Sequence, residues 1–333
     1  MNEHKEKYKV VIIGCGNIAG GFDTPDSPLI LTHAHAINKY HRTMLAGVYD
    51  VVPSKAKEFA KKWNTVGFNN PEAMLNQSRP DFVVIASPTE FHNEHLGQVL
   101  KYSPQCVICE KPISNELDLT REILDDFKKQ NIPILVNFSR RYDITMQRLK
   151  RDVYNNKFGD FINSSATYTK GILHNGSHLI DLFRFLFGEV SKIKVLHSNI
   201  DYDADDPTID AFLEFRDGFK THLIAAREDK YCIFELDLLF EKCRINILSM
   251  GFDIEFRRVR NDPVYPNYKI LDKPKAKETG YKDALVNLYK NAVNYLENNG
   301  DLICSGEEGL LTQTVCKEIL EKYTPTEVSY QPF

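Results

Sequence analysis

Apolar residues recur along the first part of the chain in two alternating rhythms. Short apolar runs at 8–14, 44–50, 82–87, 106–110 and 132–137 have the length of buried strands. Between them lie stretches with helical spacing: Pro53–Trp63, Pro71–Gln77, His92–Lys101 and Glu116–Gln130. This alternation predicts a parallel, doubly wound sheet. Beyond residue 150 the rhythm changes. Residues 161–169, 190–199, 208–215, 219–227, 231–240, 243–249 and 253–259 read as consecutive strands, with one substantial helix near 175–187. Arg216-Asp217-Gly218 marks a turn between two of them. Residues 261–280, rich in Pro and Lys, read as a loop or arm, followed by helices at 281–298 and Glu307–Tyr323. Long runs of strands imply a largely antiparallel sheet.

The first strand runs directly into Gly14-Cys15-Gly16-Asn17-Ile18-Ala19-Gly20, and the second ends on Asp50. In a strand–turn–helix, Gly14 permits the tight turn, Gly16 lets backbone approach a pyrophosphate, and small Ala19 allows close packing. The helix N-terminus favours negative charge. An acid ending the second strand accepts the hydroxyls of an adenosine ribose. Gly16 and Asp50 stand further apart than the usual ~20 residues. The excess reads as an inserted loop over residues 22–32, with two prolines, after which the helix resumes around His33–His41. No arginine stands beside Asp50 to neutralise a 2′-phosphate, so NAD is expected over NADP. The fold class is thus α/β plus α+β. A Rossmann doubly wound parallel sheet over 1–137 binds the cofactor. A second domain over 138–333, on a large, mainly antiparallel open sheet, binds substrate and carries oligomerisation.

At 333 residues the chain exceeds the usual ~250–300-residue limit of a single core, in keeping with two domains. A net charge of −4 argues against a broad nucleic-acid footprint. There is no run of about 18 apolar residues, and the polar start is no signal peptide, so a cytoplasmic protein without membrane partners is expected. Seven cysteines do not suggest a disulfide framework. Cys106-Val-Ile-Cys109 has redox spacing, but lies in an apolar run where alternation places the sulfurs on opposite faces, so it reads as packing.

Glu110-Lys111-Pro112 follows the fifth strand, on the edge that carries the glycine turn. Together with Ile12-Ile-Gly-Cys-Gly-Asn-Ile-Ala19, Val84-Ile-Ala-Ser87-Pro88-Thr89 with His92, and His178-Leu-Ile-Asp181, it gives the chain a resemblance to the glucose–fructose oxidoreductase/inositol dehydrogenase (Gfo/Idh/MocA) family over nearly its whole length. The resemblance implies NAD-dependent hydride transfer between nicotinamide and a secondary alcohol or ketone of a sugar. Lys111 is then the lysine at the reacting oxygen, either as a base of lowered pKa or as a charged group stabilising negative charge. His178 is the better proton shuttle at neutral pH, and Asp181, three residues on, orients it or meets substrate. Lys111 and His178 are expected to converge over the nicotinamide.

Many members of the family carry Asp four residues before this histidine, where the present chain has His174. The change removes a fixed charge and adds a second possible proton carrier. Two histidines at i and i+4 resemble a metal pair, but no carboxylate motif supports one, so no metal is expected. The resemblance places Ser87, Pro88, Thr89, His92, Glu110 and Asn137 near the cofactor, with Asn17 and Ile18 in the phosphate turn. It places Arg141 at the substrate mouth, where its fork suits phosphate or carboxylate, although a structural salt bridge fits as well. Tyr168, Lys170 and Asn175 flank the histidine helix and are candidate sugar contacts. A nucleotide-linked sugar is the narrower expectation. An NAD-recycling glycoside hydrolase and a non-catalytic dinucleotide-binding regulator remain alternatives. An open sheet face that needs covering predicts a homodimer or homotetramer.

Overall fold

The computed structural model describes residues 6–323. Within them the chain forms two compact units, one of residues up to Ile144 with Gly280–Leu311, the other of Thr145–Thr279 with the residues from Thr312 onward.

The first unit is built on β1 (Tyr8–Ile13), β2 (Thr43–Tyr49), β3 (Gly67–Phe68), β4 (Phe82–Ile85), β5 (Cys106–Cys109) and β6 (Ile134–Val136), in the order β3-β2-β1-β4-β5-β6. Every pairing is parallel. Parallel strands carry helices on both faces, which is why β4 and β5 are wholly buried, both cysteines of β5 included. The connecting helices are α1 (His33–Lys39), α2 (Pro53–Trp63), α3 (Pro71–Ser78), α4 (His92–Leu100) and α5 (Leu117–Lys129). Their ends follow local chemistry. Proline opens α2 and α3 where no N–H is required, and the Asn70 side chain accepts from Ala73 N–H. Asn64 ends α2 in the left-handed region.

The second unit begins with α6 (Ile144–Tyr154), a helix that the strand-dominated pattern did not announce. Its sheet comprises β7 (Phe161–Tyr168), then, after α7 (Ser177–Phe187), β8 (Val190–Asn199), β9 (Thr208–Phe215), β10 (Lys220–Ala225), β11 (Phe234–Phe240), β12 (Cys243–Leu248), β13 (Asp253–Asn261), β14 (Lys269–Leu271) and β15 (Lys275–Glu278). The order is β14-β13-β12-β11-β7-β10-β9-β8, with β15 also on β13. Only β7 and β10 pair in parallel. The expected arm at 261–280 therefore contributes two short strands. One face alternates into the core, where Phe183 and Phe187 of α7 meet Phe215 and Phe219. The other face carries Asn246, Asp237, Ser165, His222 and Phe212 side by side through the strand register.

The expected division at 137/138 is corrected at both ends. The turn after β6 stays with the first unit, because Tyr142 is fully buried there and its carbonyl accepts from Asn287 of α8 (Ala284–Leu296). Asn291 of α8 in turn holds the Asp301 carbonyl and the Ile303 N–H. Val136 N–H donates to the Cys304 carbonyl, and Leu135 bridges Ser305, so the returning chain covers the exposed edge of β6. The division then runs through α9 (Gly306–Lys322), with Gly306–Leu311 in the first unit.

Candidate active site

The glycine turn follows β1. Gly14 has φ +96°, and a Cβ there would strike the backbone of Ala86 and Ser87, so only glycine fits. Gly16 is different: it is extended, at φ −78° and ψ −167°, and a Cβ would meet no protein atom within 4 Å. Among the described residues nothing demands glycine at 16, and the open space beside its backbone leaves room for a pyrophosphate to approach. The Asp50 carboxylate reaches back from the end of β2, accepting Cys15 N–H at 2.8 Å and Val52 N–H at 2.9 Å. The chain then makes a single π-helical turn at Asn17–Gly21 and leaves it, so the long helix expected to start here is delayed to α1. Gly20, more than Ala19, sets the close packing: its carbonyl accepts from Trp63 Nε1 and Lys62 Nζ, and a Cβ would strike Phe59. The intervening loop is tied down by buried Asp23, which accepts from Leu31 N–H and the Thr32 hydroxyl and pairs with His35 Nδ1 at 2.8 Å.

At the ends of β5 and β6, Glu110 Oε1 accepts from Asn137 Nδ2 at 2.7 Å and from His33 Nε2 at 2.9 Å. His33 is wholly buried at the start of α1, and its Nδ1 lies 2.8 Å from the Tyr289 hydroxyl of α8. Burial pushes the Glu110 carboxyl up, but the His33 ring, the Asn137 amide and the Lys111 ammonium outweigh it and hold the group below its ordinary value. Burial and then the Glu110 charge push the Tyr289 phenol well above its own. Asn137 gives its amide N–H to that carboxylate, while its Oδ1 is buried with no hydrogen-bond partner among the described residues, on a residue only 3% exposed. A buried orphan acceptor is costly. A carboxamide donor such as that of nicotinamide would satisfy it. Gly16 and Asn137 therefore both fit a bound dinucleotide.

In the second unit, β7 is followed by Lys170, at φ +71°, and a π-helical turn, Gly171–Gly176, leads into α7. Asp206 holds this turn, accepting the N–H groups of Leu173 at 2.7 Å and His174 at 2.9 Å, while Asp201 accepts Lys170 N–H. The exposed His174 ring stands 5.5 Å from Tyr202, over which Lys170 Nζ lies at 5.0 Å. His178 is half-buried on the first turn of α7. Asn175 Nδ2 faces Cys232 Sγ at 3.9 Å. Among the described residues no group of three or more His, Cys, Asp or Glu is arranged to hold a metal ion. No helix among them is long and apolar enough to cross a membrane.

A family model described as an oxidoreductase family with an NAD-binding Rossmann fold (GFO_IDH_MocA) matches residues 8–138. Residues 8–138 thus match the Gfo/Idh/MocA oxidoreductase family. Over 94% of its length, and 96% of the relative's, it is 24% identical to a glucose-6-phosphate 3-dehydrogenase of Bacillus subtilis (strain 168). It is 28% identical to a D-glucoside 3-dehydrogenase of Escherichia coli (strain K12), over 52% of this chain and 50% of that one. Its fold is also that of the WlbA dehydrogenase from Bordetella pertussis, solved in complex with NADH and UDP-GlcNAcA, with a TM-score of 0.73, 18% identity, and coverage of 95% of this chain and 96% of that one.

Several positions expected from the Gfo/Idh/MocA resemblance serve otherwise here. Tyr168 is completely buried, its hydroxyl donating to the Ile209 carbonyl and accepting Ile209 N–H, so it is a core residue and no sugar contact. Arg141, 3% exposed, gives Nη2 to Glu308 at 2.8 Å instead of lining a substrate mouth. His92 spends both ring nitrogens on the carbonyls of Ser87 and Pro112, each at 2.9 Å, and so links two strand-end loops without presenting itself to a ligand. Asp181, 1% exposed, accepts from the Thr312 hydroxyl. Pro88 is exposed and Thr89 half-buried beside Ser87, whose hydroxyl lies 2.9 Å from His95 Nδ1. Burial holds the His95 imidazole below its ordinary value. Sequence reasoning missed His33, Tyr289, His95 and Tyr202. Of these only His33 left a trace, as the residue after the capping Thr32 of a helix resumed behind an insertion.

Proposed function

We propose that the protein oxidises a ring hydroxyl of a glucose-type sugar, at carbon 3, with NAD as hydride acceptor. The observation that carries this reading is the Glu110–Lys111 pair at the end of β5, beside a buried Asn137 Oδ1 that awaits a donor. The naming of two relatives as 3-dehydrogenases of glucose derivatives supports the carbon, and the nucleotide-sugar complex of WlbA supports a nucleotide-linked substrate as the narrower form.

Bound NAD supplies a two-electron acceptor for the hydride leaving the carbinol carbon. Gly16 would leave room for its phosphates, the Asp50 carboxylate would serve its adenosine ribose, and Asn137 would take the carboxamide N–H. Lys111 donates to the carbinol oxygen and stabilises the negative charge that grows there as the C–H bond breaks. His178 accepts the hydroxyl proton, so that one hydride and one proton leave and the carbonyl forms. Lys170, His174 and Asn175 contact the sugar. A homo-oligomer through the outer sheet face around Phe212 and Ile224 is part of the same reading.

NADH formation followed at 340 nm over a panel of glucose, glucose 6-phosphate, glucosides and UDP-sugars is the direct test. Lys111→Ala is expected to lower turnover by about 10²- to 10³-fold, the scale set by loss of a single charge-stabilising donor, while NAD still binds. Undiminished turnover of Lys111→Ala, or no NADH from any sugar in the panel, overturns the proposal. Cleavage of an aryl glycoside without net NADH would instead assign the glycoside-hydrolase alternative.

A further inference from the structure

Behind Glu110 lies a buried polar chain that no substrate contact explains. His33 is wholly enclosed, yet both its ring nitrogens are engaged, one by Glu110 Oε1 at 2.9 Å and the other by the Tyr289 hydroxyl at 2.8 Å. The three residues come from α1, the end of β5 and α8. A carboxylate oxygen can only accept, so His33 Nε2 carries the proton and Tyr289 holds Nδ1. The groups facing Glu110 are His33 from α1, the Asn137 amide after β6, and Lys111 beside it, with Tyr289 of α8 one hydrogen bond further. The Cys109 thiol just before it is pushed well above its ordinary value by burial and then by the Glu110 charge, so it stays neutral.

We propose that His33 and Tyr289 are positioning residues that act through Glu110, pinning its carboxylate in the ionised form so that a fixed negative charge keeps Lys111 a cation. The proposal rests on the reading of Lys111 as the residue at the reacting oxygen, and it selects between that residue's two possible roles. A buried carboxyl stripped of its best donor takes up a proton more readily. Lys111 then loses the charge beside it and gives up its own proton more easily. With His33 in place, Lys111 works as a charged donor and the proton must go elsewhere.

The test is the titration of the Glu110 carboxyl in the full-length protein, followed by NMR of carboxyl-labelled glutamate and assigned with Glu110→Gln. His33→Leu removes the donor; His33→Gln restores an N–H in about the same place. An upward move of about 1–2 pH units in His33→Leu, reversed in His33→Gln, together with a matching move of the acid limb of kcat, supports the proposal. An unmoved carboxyl in His33→Leu overturns it, and so do equal moves in both variants. Should His33→Leu not fold, Tyr289→Phe deletes one oxygen and leaves the ring. A smaller upward move is expected there, and none overturns the proposal. The carboxyl titration needs no turnover, so failure of the dehydrogenase reading would be seen separately, as absence of NADH from the wild-type protein.

Discussion

The Asp50 carboxylate clamps the glycine turn by accepting Cys15 N–H across 2.8 Å, so one side chain both shapes that turn and presents charge at the end of β2. The two roles separate by substitution. Asn at 50 keeps an oxygen for Cys15 N–H and loses the charge, whereas Ala loses both. Asp50→Ala is expected to weaken NAD binding about 10- to 100-fold, the equivalent of one charge-assisted hydrogen bond. Asp50→Asn should keep the turn and narrow the preference for NAD over NADP, because a carboxylate repels a 2′-phosphate. Energy transfer from Trp63, the single tryptophan, to bound NADH or NADPH reads both affinities. Equal discrimination in wild type and Asp50→Asn would refute the electrostatic role.

Gly14 and Gly16 look alike in the sequence and differ in what holds them. Gly14→Ala forces a Cβ into the Ala86–Ser87 backbone at φ +96° and should destabilise the protein by roughly 2–5 kcal/mol, adding strain to overpacking. Gly16→Ala meets only open space, so stability to urea without cofactor should be unchanged or slightly higher, by up to about 1 kcal/mol. Its loss should appear in NAD binding alone, at least tenfold. A Gly16→Ala protein that melts early and binds normally would contradict the assignment of this turn to the phosphates.

The parallel sheet is legible in the sequence because β4, β5 and residues 10–13 of β1 are buried on both faces and so leave unbroken apolar runs. The two-residue β3 leaves none. The division of the chain is less legible: an amphipathic pattern at 281–298 announces a buried helix face but not the sheet it meets, and α8 returns to the first unit. Motif residues suffer a similar ambiguity. Tyr168 alternates correctly for β7 and thereby points into the core, and Arg141 finds Glu308 from a helix far along the chain. The Glu110–Lys111 pair is legible as a motif, whereas its support by His33 and Tyr289 needs three distant segments brought together, for which single residue types give no signal.

Thiol accessibility gives a check on the second unit. Cys232 is exposed, and its sulfur lies 3.6 Å from the Thr169 hydroxyl and 3.9 Å from Asn175 Nδ2, beside the turn that carries His174. Cys15 is half-buried, and burial followed by the Asp50 charge pushes its thiol up to about 12, so at pH 8 it is almost entirely unreactive. The remaining five cysteines are buried. Iodoacetamide at pH 8 should therefore modify Cys232 first, as read by peptide mass spectrometry, with Cys15 at least about 100-fold slower given its small thiolate fraction. A bulky maleimide on Cys232 should raise KM for the sugar several-fold and leave NADH binding intact. Preferential labelling of Cys15, or impaired NADH binding after labelling Cys232, would contradict these placements.

The depressed Glu110 carboxyl also ties stability to pH, and the direction follows from linkage. Its pKa is lower folded than unfolded, so its contribution is fully present above the unfolded value near 4.5 and is lost as pH falls through the folded one. Each unit of depression corresponds to roughly 1.4 kcal/mol. Urea melts of the wild type should therefore weaken as pH is lowered from about 5 toward 3, part of that slope coming from Glu110. Glu110→Gln keeps an acceptor for His33 and Asn137 but cannot titrate. It should start less stable at pH 7 and lose less on acidification, the two curves drawing together at low pH. Parallel curves over that range would mean that His33, Asn137 and Lys111 do not hold the carboxylate as the geometry indicates.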